Sequence, residues 1–595
     1  MPGFIVTIGD GIIIPAEKEI ALSVTELVGD GYRISWRTSR KFLNDKMLVD
    51  DDQHILLLEG VVVNNHQLIE RYQAENWQEC VEKMRAVRKD TFYKEFRGSF
   101  CGFVYDKERH RWLFFTDHIG DKQVLYACAG DAFIVGTEVC YLTDTLKANG
   151  IHPTLDKDAA YMALTLGYVI EDKTLFSEIR KLPAGHYLTW SAGQPEEVQY
   201  HRFTNQPKEM TVTEAVEGID RLFREAVRLD FEKDREYGYK HWATLSGGLD
   251  SRMVVWVAHE LGYTQQLNLT FSQSGYTDFK VAQQIASDLH HEFLFKFLDN
   301  GNCIYALDDV TALTGGSACF FGIAHTWSLF NKLDYSDYGI VHTGELGDVI
   351  ISTYQKTTMS YDTKPSIDDG GYSTILSDRL KDYRFKYPYE NAEIYLMYNR
   401  GFDFVGQGTL GYDHRYTENL SPFCNVDFME FCFSIPLKYR FKHKIYFDWV
   451  LDRYPGAAAY VWTGNGCRIK RIDNETQRRY MNVFGYQVPH FSDPAFSAYL
   501  KGFVLRRLGL RKKMKGKKAG NTFTIATKND MNPVDYWYAT NPELKSFMDG
   551  YWEANSGLVT DTTLRQDMRR LYEESDATYD RLQVLSVLSA IKLCL

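Results

Sequence analysis

The sequence contains no uninterrupted run of about 18 apolar residues, the length that a membrane-spanning helix needs. Its first residues, Met-Pro-Gly-Phe-Ile-Val-Thr-Ile, also lack the basic start and the apolar stretch of a signal peptide. These two absences predict a cytoplasmic protein that has no membrane partner.

Cysteine pairs at metal-binding or redox spacing are absent as well. The ten cysteines are scattered from Cys80 to Cys594, with no Cys-x-x-Cys pair and no histidine at the spacing of a zinc site. Most stand between apolar or aromatic residues, as Cys101 does in Ser-Phe-Cys-Gly-Phe. We therefore expect buried, reduced thiols rather than disulfide bonds or a bound zinc ion.

An excess of basic residues is also missing. Lys and Arg number 68 against 79 Asp and Glu, which gives a net charge of −11. A mildly acidic chain is not expected to bind nucleic acid in general. One strongly basic run, residues 506–518, departs from this average. It fits either a solvated loop or a clamp for an acidic substrate or peptide.

The residues that are present describe a globular protein in two parts. Hydrophobic residues make up 44% and charged residues 25% of 595 residues, which excludes wholesale disorder and predicts two or three domains. The first ~205 residues contain short apolar runs between Gly, Asp and Asn, which predict strands, and an amphipathic stretch at 67–88 that predicts a helix. We expect a strand-rich sandwich with few helices in this part.

The pattern changes after residue 209 to alternating helices and strands, which predicts a parallel sheet with helices packed on it. The predicted elements, in order, are a helix over 211–228, a strand over 242–245, a helix over 251–261, a strand over 267–271 and a helix over 278–289. Residues 355–390 are polar and interrupted, and they predict an insertion or a flap.

The strongest single motif is Ser246-Gly247-Gly248-Leu249-Asp250-Ser251, which links a predicted buried strand to a predicted helix. Adjacent glycines let the backbone approach a ligand, and the free N–H groups of the following helix favour an anion. Asp250 beside a polyphosphate requires a Mg2+ ion between the two negative groups. No Lys follows the glycines, so the loop is not a Walker loop. The motif predicts a site for a nucleotide pyrophosphate.

Four further motifs follow this loop along the chain. They are Asp278 with Ala282 and Ala286, then Thr343-Gly344-Glu345-Leu346-Gly347-Asp348, then Ser421-Pro422-Phe423, and finally Trp462 to Lys470, which ends Arg468-Ile469-Lys470. In type and order they resemble the motifs of the asparagine synthetase family, within the ATP pyrophosphatase superfamily. The second motif departs from the family at Val349, where a Glu is usual.

The resemblance implies a reaction in two steps. A carboxylate attacks the α-phosphorus of ATP, pyrophosphate leaves, and an amine then displaces AMP from the acyl-adenylate. By resemblance, Asp250 and Asp348 would hold Mg2+, while Lys470 and Glu345 would be catalytic, Lys470 as a mobile positive charge. The residues implied in binding ATP and pyrophosphate are Thr244, Ser246, Gly247, Gly248, Asp250, Ser251, Phe271, Thr343 and Gly344.

The front part carries its own set of motifs. They are the segment from Glu59-Gly60 to Leu68, the pair Gly98 to Asp106 and Thr116 to Gly120, and the turn Lys181-Leu182-Pro183-Ala184-Gly185-His186. They resemble the glutamine amidotransferase domain that precedes the synthetase domain in the same family. The implied fold is a four-layer αββα sandwich of the Ntn-hydrolase type at 1–205. It is followed by a parallel-sheet synthetase domain of the adenine-nucleotide α-hydrolase type at 206–595, with an insertion at about 355–390 and a basic extension at about 500–595.

The front part departs from active glutaminases where their nucleophile stands. Those enzymes use a cysteine at position 2, whose freed α-amine is the base, but this chain has Pro2, which has no thiol. Glu59 also replaces an Asn that is expected to face the substrate. We expect a domain that no longer hydrolyses glutamine.

Three functions then remain open. The first is an asparagine synthetase-like ligase that uses free ammonia, or ammonia supplied by a partner protein. The second is a ligase that closes a macrolactam within a ribosomal precursor peptide, and the third is a non-catalytic regulator that binds ATP. Glu345 disfavours the β-lactam-forming members, which carry Tyr at this position. The carboxylate substrate is thus a small molecule or a peptide.

Overall fold

The computed structural model describes residues 2–15, 22–129, 132–191, 193–354, 361–406, 417–472, 480–483, 486–489 and 530–595. Two predicted features therefore lie wholly or partly outside the described residues, namely the basic run at 506–518 and the first part of the 355–390 insertion. Within the described ranges, no helix combines the length and the apolar character needed to cross a membrane.

Two antiparallel sheets form the front half of the chain, with six strands each in the orders β10-β8-β9-β1-β3-β2 and β12-β11-β7-β6-β5-β4. Their strands are β1 Gly3–Ile8, β2 Ser23–Gly29, β3 Tyr32–Thr38, β4 Met47–Asp50, β5 His54–Val62, β6 Gly98–Asp106, β7 Arg111–Thr116, β8 Leu125–Ala129, β9 Ala132–Gly136, β10 Ile179–Lys181, β11 His186–Ser191 and β12 Gln194–Gln199. The four helices described in this half are α1 Asn65–Arg71, α2 Trp77–Arg88, α3 Val139–Ala148 and α4 Lys157–Leu166.

These elements stack as four layers. Side chains such as Phe4, Phe103 and Trp190 fill the space between the two sheets. One outer face is covered by α1 and α2, where Cys80 and Met84 pack on the sheet, and the other by α3 and α4. Burial of an apolar face of each sheet and a stripe of each helix drives this arrangement. The αββα sandwich predicted from the sequence is confirmed.

A parallel sheet organises the second half, in the order β15-β14-β13-β16-β17. Its strands are β13 Lys240–Thr244, β14 Gln266–Ser272, β15 Glu292–Phe297, β16 Tyr338–His342 and β17 Asn419–Leu420, and a separate antiparallel pair is β18 Tyr480–Val483 with β19 Tyr486–Pro489. Because β16 pairs directly with β13, the loops that leave their carboxyl ends lie side by side. The predicted parallel-sheet domain is confirmed.

Helices cover this sheet and continue to the end of the chain. They are α5 Val212–Glu236, α6 Asp250–Glu260, α7 Thr277–Asp288, α8 Leu307–Thr314, α9 Phe321–Phe330, α10 Gly347–Ile351, α11 Ala392–Leu396, α12 Val426–Ser434, α13 Leu437–Arg440, α14 Lys444–Arg453, α15 Pro455–Ala458, α16 Val534–Thr540, α17 Pro542–Asn555, α18 Thr562–Arg569 and α19 Thr578–Cys594. The longest of them, α5, starts at a capping box in which Thr211 and Glu214 satisfy each other's main-chain N–H groups.

The last helix belongs to a core that both halves share. Leu582, Leu585 and Leu588 of α19 are fully buried in one apolar cluster with residues of α3, α4 and α8. At about 25 cal/mol per Å2 of apolar surface removed from water, such a cluster is a large stabilising contribution. The last helix of the predicted C-terminal extension is thus part of the core.

Local details differ from the sequence-based expectations in two places. The helix expected over 67–88 is two helices, because Tyr72 ends α1 and Asn76 caps the start of α2 through its side chain. The apolar residues at 55–58 and at 61–62 lie in one strand, since Gly60 continues β5 instead of ending it. All ten cysteines are free thiols, of which Cys128 and Cys467 are exposed, contrary to the expectation of burial for these two.

A buried cluster of four charged side chains joins the two halves. Lys46 and Glu59 of the front half form an ion pair at 2.8 Å, and Lys122 pairs with Glu418 of the second half at 2.6 Å. Lys46 and Glu418 complete the cluster at 3.7 Å. Burial raises the pKa of Glu418, but Lys122 and Lys46 outweigh this effect and hold the pKa below its ordinary value. The carboxylate is therefore ionised and balanced by two buried ammonium groups.

We predict that Glu418→Gln lowers the free energy of unfolding by about 3 kcal/mol or more, because it leaves a buried lysine charge without its partner. Urea denaturation followed by circular dichroism measures this loss. The matched control is Asp337→Asn, which breaks an ion pair with Lys240 whose side chains are both 64% exposed, and we expect little change there. Equal losses in the two variants would contradict a structural role for the cluster.

The same cluster predicts a loss of stability in acid. The depressed pKa of Glu418 means that its contribution is complete above the ordinary carboxyl range and disappears as the pH falls through the folded-state value. The difference between wild type and Glu418→Gln should accordingly shrink at low pH.

Candidate functional site

A cavity of about 390 Å3 opens at the carboxyl ends of β13, β14 and β16. This edge of a parallel sheet is where α/β proteins bind ligands. The cavity collects most of the predicted site residues, namely Thr244, Ser246, Gly248, Asp250, Ser251, Phe271, Thr343, Gly344 and Glu345. Their roles remain predictions, but their proximity is a property of the fold.

The loop after β13 is held in shape by its own two serines. The main-chain N–H of Ser246 donates to Oγ of Ser251 at 2.9 Å, and the two hydroxyls lie 3.0 Å apart. The N–H of Gly248 donates to Oγ of Ser246 at 3.1 Å. The loop is therefore preorganised, and it leads directly into the N-terminus of α6, whose free N–H groups favour an anion.

The loop after β16 packs tightly against this first loop. A Cβ atom on Gly344 would lie 2.3 Å from the main-chain nitrogen of Ser251, so only glycine allows the two backbones to approach this closely. The contact brings Asp348, at the start of α10, towards Asp250, at the start of α6.

Asp250 is the most strongly perturbed acid of this site. Burial, and after it the charge of Asp348, raise the pKa of Asp250 well above its ordinary value. The hydroxyl of Tyr446 donates to Oδ1 of Asp250 at 2.7 Å and partly offsets this effect. Two carboxyl groups that destabilise each other fit a hard divalent cation such as Mg2+.

The segment that ends at Lys470 starts on the first loop. The N–H of Thr463 donates to the carbonyl of Gly247 at 3.2 Å, and Asp278 lies against the same glycine. Ile469 is buried in the core next to α6, whereas Lys470 itself is exposed and does not line the cavity. Gly247 is likewise not among the residues that line the cavity. The side chain of Lys470 therefore lies in solvent, one residue after a side chain that packs next to α6.

Arg252 ties these pieces together. Its guanidinium, which is fully buried, donates to the carbonyls of Gly247 at 2.9 Å and Val461 at 2.7 Å, and also to that of Ala457 at 3.1 Å. Burial lowers the pKa of Arg252 to about 10, so it remains charged at neutral pH. The guanidinium of Arg252 thus fixes the loop Ser246–Ser251, called the phosphate loop below, relative to the segment that carries Lys470.

Glu345 lies between the main cavity and a second, smaller cavity. This second cavity of about 50 Å3 lies between the two halves and is also lined by Asp121, Asp230 and Asn419. Burial, and then the charge of Asp121, raise the pKa of Glu345 well above its ordinary value. Such a carboxyl group binds a proton more tightly than an exposed one, which is a common feature of acid–base groups in active sites.

The front half presents no thiol where a glutaminase would need one. Pro2 directly precedes β1 and is buried. Glu59 is fully engaged in the interdomain cluster, because it pairs with Lys46 and also accepts from Nε1 of Trp36 at 2.7 Å.

Sequence reasoning did not identify Tyr446, Arg252 and His325 as parts of this site. Arg252 follows the loop motif directly, so its position was a usable signal. Tyr446 is 196 residues from its partner Asp250, and His325 lies in the apolar helix α9, so neither carried a local signal.

Comparisons with known proteins divide the chain as the fold does. Residues 39–201 match the glutamine amidotransferase domain family, and residues 218–398 match the asparagine synthase family. The two matches lie within the front half and the second half, respectively.

Curated relatives match parts of this chain, and two of them are asparagine synthetases. A putative glutamine-hydrolysing asparagine synthetase of Methanocaldococcus jannaschii is 25% identical over 273 residues, which are 43% of this chain and 52% of the relative. Asparagine synthetase B of Escherichia coli is 23% identical over 334 residues, 51% of this chain and 52% of the relative. The amidase chyE of Penicillium rubens is 25% identical over 29% of this chain and 25% of its own length. The matches to the two synthetases thus span about half the length of those proteins.

Among solved structures, glutamine phosphoribosylpyrophosphate amidotransferase from B. subtilis, complexed with ADP and GMP, resembles this chain at 10% identity and a TM-score of 0.22. The likeness covers 49% of this chain and 59% of that one.

We predict that Gly247→Ala weakens ATP binding at least tenfold, a cost of about 1.4 kcal/mol or more. The new Cβ would lie 2.2 Å from Cγ2 of Thr463 and 2.6 Å from Oδ1 of Asp278, so the loop must move. Isothermal titration calorimetry with ATP and Mg2+ measures the change. In the control Gly550→Ala, on α17 and outside the cavity lining, a Cβ would meet no atom within 4 Å, and we expect no change in ATP binding. Equal effects of the two substitutions would contradict the argument.

Proposed function

The chain belongs to the asparagine synthetase family, and from that premise we propose that it is an ATP-dependent ligase that joins a carboxylate to an amine, releasing AMP and pyrophosphate. The observation that carries this proposal is the single cavity in which the phosphate loop, the Thr343–Asp348 loop and Phe271 meet. A regulator that only binds ATP would not need Glu345 between this cavity and the interdomain one.

In the first step, a carboxylate oxygen of the substrate attacks the α-phosphorus of ATP, and the bond to the bridging oxygen of pyrophosphate breaks. The N-terminus of α6 would hold the pyrophosphate, since its free N–H groups favour the negative charge that grows there, and the serine hydrogen bonds keep the preceding loop in position. Mg2+, when bound by Asp250 and Asp348, would neutralise part of that charge. Lys470 would reach the α-phosphate only after its exposed side chain turns into the cavity.

In the second step, an amine nitrogen attacks the acyl carbon, and the bond between that carbon and the phosphate oxygen of AMP breaks. The nitrogen must lose a proton when the amide forms. Glu345 lies at the border of both cavities, and its raised pKa suits a group that accepts this proton. We propose that the amine reaches the acyl-adenylate from the side of the interdomain cavity.

We further propose that the front domain does not hydrolyse glutamine. Pro2, directly before β1, has no thiol. Glu59 forms an ion pair with Lys46, and Lys46 also pairs with Glu418 of the other domain. The amine is thus free ammonia, ammonia delivered by a partner protein, or an amino group of the substrate itself.

Pyrophosphate release tests the ligase. We predict that it requires ATP and a carboxylate substrate and falls about 100-fold or more in Asp250→Asn and in Lys470→Ala, because each removes charge stabilisation of the leaving group. The control is Asp288→Asn on α7, whose carboxylate accepts from Tyr460 outside the cavity and should leave turnover unchanged. Turnover at the wild-type rate in both site variants would sink the mechanism.

The source of the amine has a test of its own. With glutamine as the only nitrogen source, we predict no release of glutamate and no amide product, whereas ammonium with aspartate gives asparagine if the small-molecule reaction holds. Mass spectrometry detects each product. A precursor peptide that loses one water without added ammonium would favour macrolactam formation, and glutamate release in proportion to the protein would overturn the loss of glutaminase activity.

A further inference from the structure

One wall of the main cavity is apolar. Leu269 and Phe271 of β14 and Ile323 of α9 line it, with the imidazole of His325 among them. The rings of His325 and Phe271 lie 4.8 Å apart with an angle of 40° between their planes. With the phosphates at the loop, this wall is where the base of a bound nucleotide would lie.

The hydrogen bonds of His325 fix which of its two nitrogens carries the proton. Nδ1 lies 3.1 Å from the carbonyl oxygen of Phe321, one turn earlier in α9. A carbonyl oxygen only accepts, so Nδ1 must be the protonated nitrogen. Burial lowers the pKa of His325 to about 4, and the ring is therefore neutral at pH 7. Nε2 is then a bare acceptor on the opposite edge of the ring.

No described residue donates a hydrogen bond to this acceptor. The other hydroxyls of the wall point away, since Thr326 donates to the carbonyl of Ile323 at 2.7 Å and Thr270 donates to that of Leu245. An acceptor that lines an apolar cavity without a donor is costly unless a ligand supplies one.

We propose that His325 is the residue that selects adenine, through a hydrogen bond from the 6-amino group of the base to Nε2. The inference rests on the proposed use of ATP and adds the group that recognises its base. Guanine carries an oxygen at position 6, so its lone pairs would face the lone pair of Nε2. A purine without any group at position 6 would leave Nε2 unsatisfied.

The test compares nucleotides on the wild-type protein by isothermal titration calorimetry with Mg2+ and no carboxylate substrate. We expect ATP to bind about 5- to 10-fold more tightly than purine riboside triphosphate, which lacks the 6-amino group, because one neutral hydrogen bond contributes about 1 kcal/mol. GTP should bind more weakly than either. Equal affinities for ATP and purine riboside triphosphate would overturn the proposal without any variant.

Two variants on the same helix locate the effect. His325→Phe keeps an aromatic ring beside Phe271 but has no acceptor. In this variant the affinity for ATP should fall to that for purine riboside triphosphate, and the affinity for the analogue should be unchanged. Ser328→Ala is the matched control and should keep the wild-type ratio, because Ser328 lies on the same helix outside the cavity lining and its hydroxyl donates to a main-chain carbonyl. A ratio that survives in His325→Phe, or is lost equally in both variants, contradicts the role of Nε2.

Failure of this inference is distinguishable from failure of the proposed function. A wild-type protein that binds ATP without preferring it to the analogue refutes only the role of His325. A wild-type protein that binds no nucleotide refutes the ligase and, with it, this inference. Circular dichroism shows whether His325→Phe folds, and if it does not, the comparison of nucleotides on the wild type still decides.

Discussion

The direct pairing of β13 with β16 is the constraint on which the rest of the site depends. These strands are neighbours in a parallel sheet, so their carboxyl ends coincide and two loops far apart in the chain meet. Gly344 lets the loops touch, and the contact brings the carboxyl groups of Asp250 and Asp348 together. Their repulsion, together with burial, raises the pKa of Asp250, and the hydroxyl of Tyr446 donates to Oδ1 of this residue.

A second set of charges governs how the two halves are joined. Glu418 stands one residue before β17, at the edge of the parallel sheet, and its carboxylate lies among Lys46, Lys122 and Glu59 of the front sandwich. Removing such charges from water costs several kcal/mol each, so the cluster is stable only when all four are present and closely paired. The ion pairs that join the two halves also engage Lys46, Glu59 and Lys122 of the front domain.

The sequence predicted those parts of the site that are contiguous in the chain. The loop Ser246–Ser251 and the segment Thr343–Asp348 were recognisable because each holds its glycines, serines and acids within six residues, and the alternation of strands and helices placed them at one edge. Arg252 and Tyr446 act across the fold, through bonds to main-chain carbonyls and to Asp250, and no local pattern encodes such partners. The break between α1 and α2 was missed because the apolar pattern continues through it, whereas Asn76, a capping residue, marked it. For Lys470 the motif predicted a catalytic role, but the side chain lies in solvent, because a sequence motif does not fix the direction of an exposed side chain.

The front domain has a structural role where it meets the second half. The outer faces of α3 and α4 are not solvent-facing, because α8 and α19 of the second half pack on them in one apolar cluster. Without the sandwich, this cluster would lose one wall and expose apolar side chains that the synthetase half cannot cover alone, at about 25 cal/mol per Å2. The small cavity that borders Glu345 would also lose its front wall, Ser99 and Asp121 among it. The front domain thus completes the shared core and forms one wall of the cavity beside Glu345.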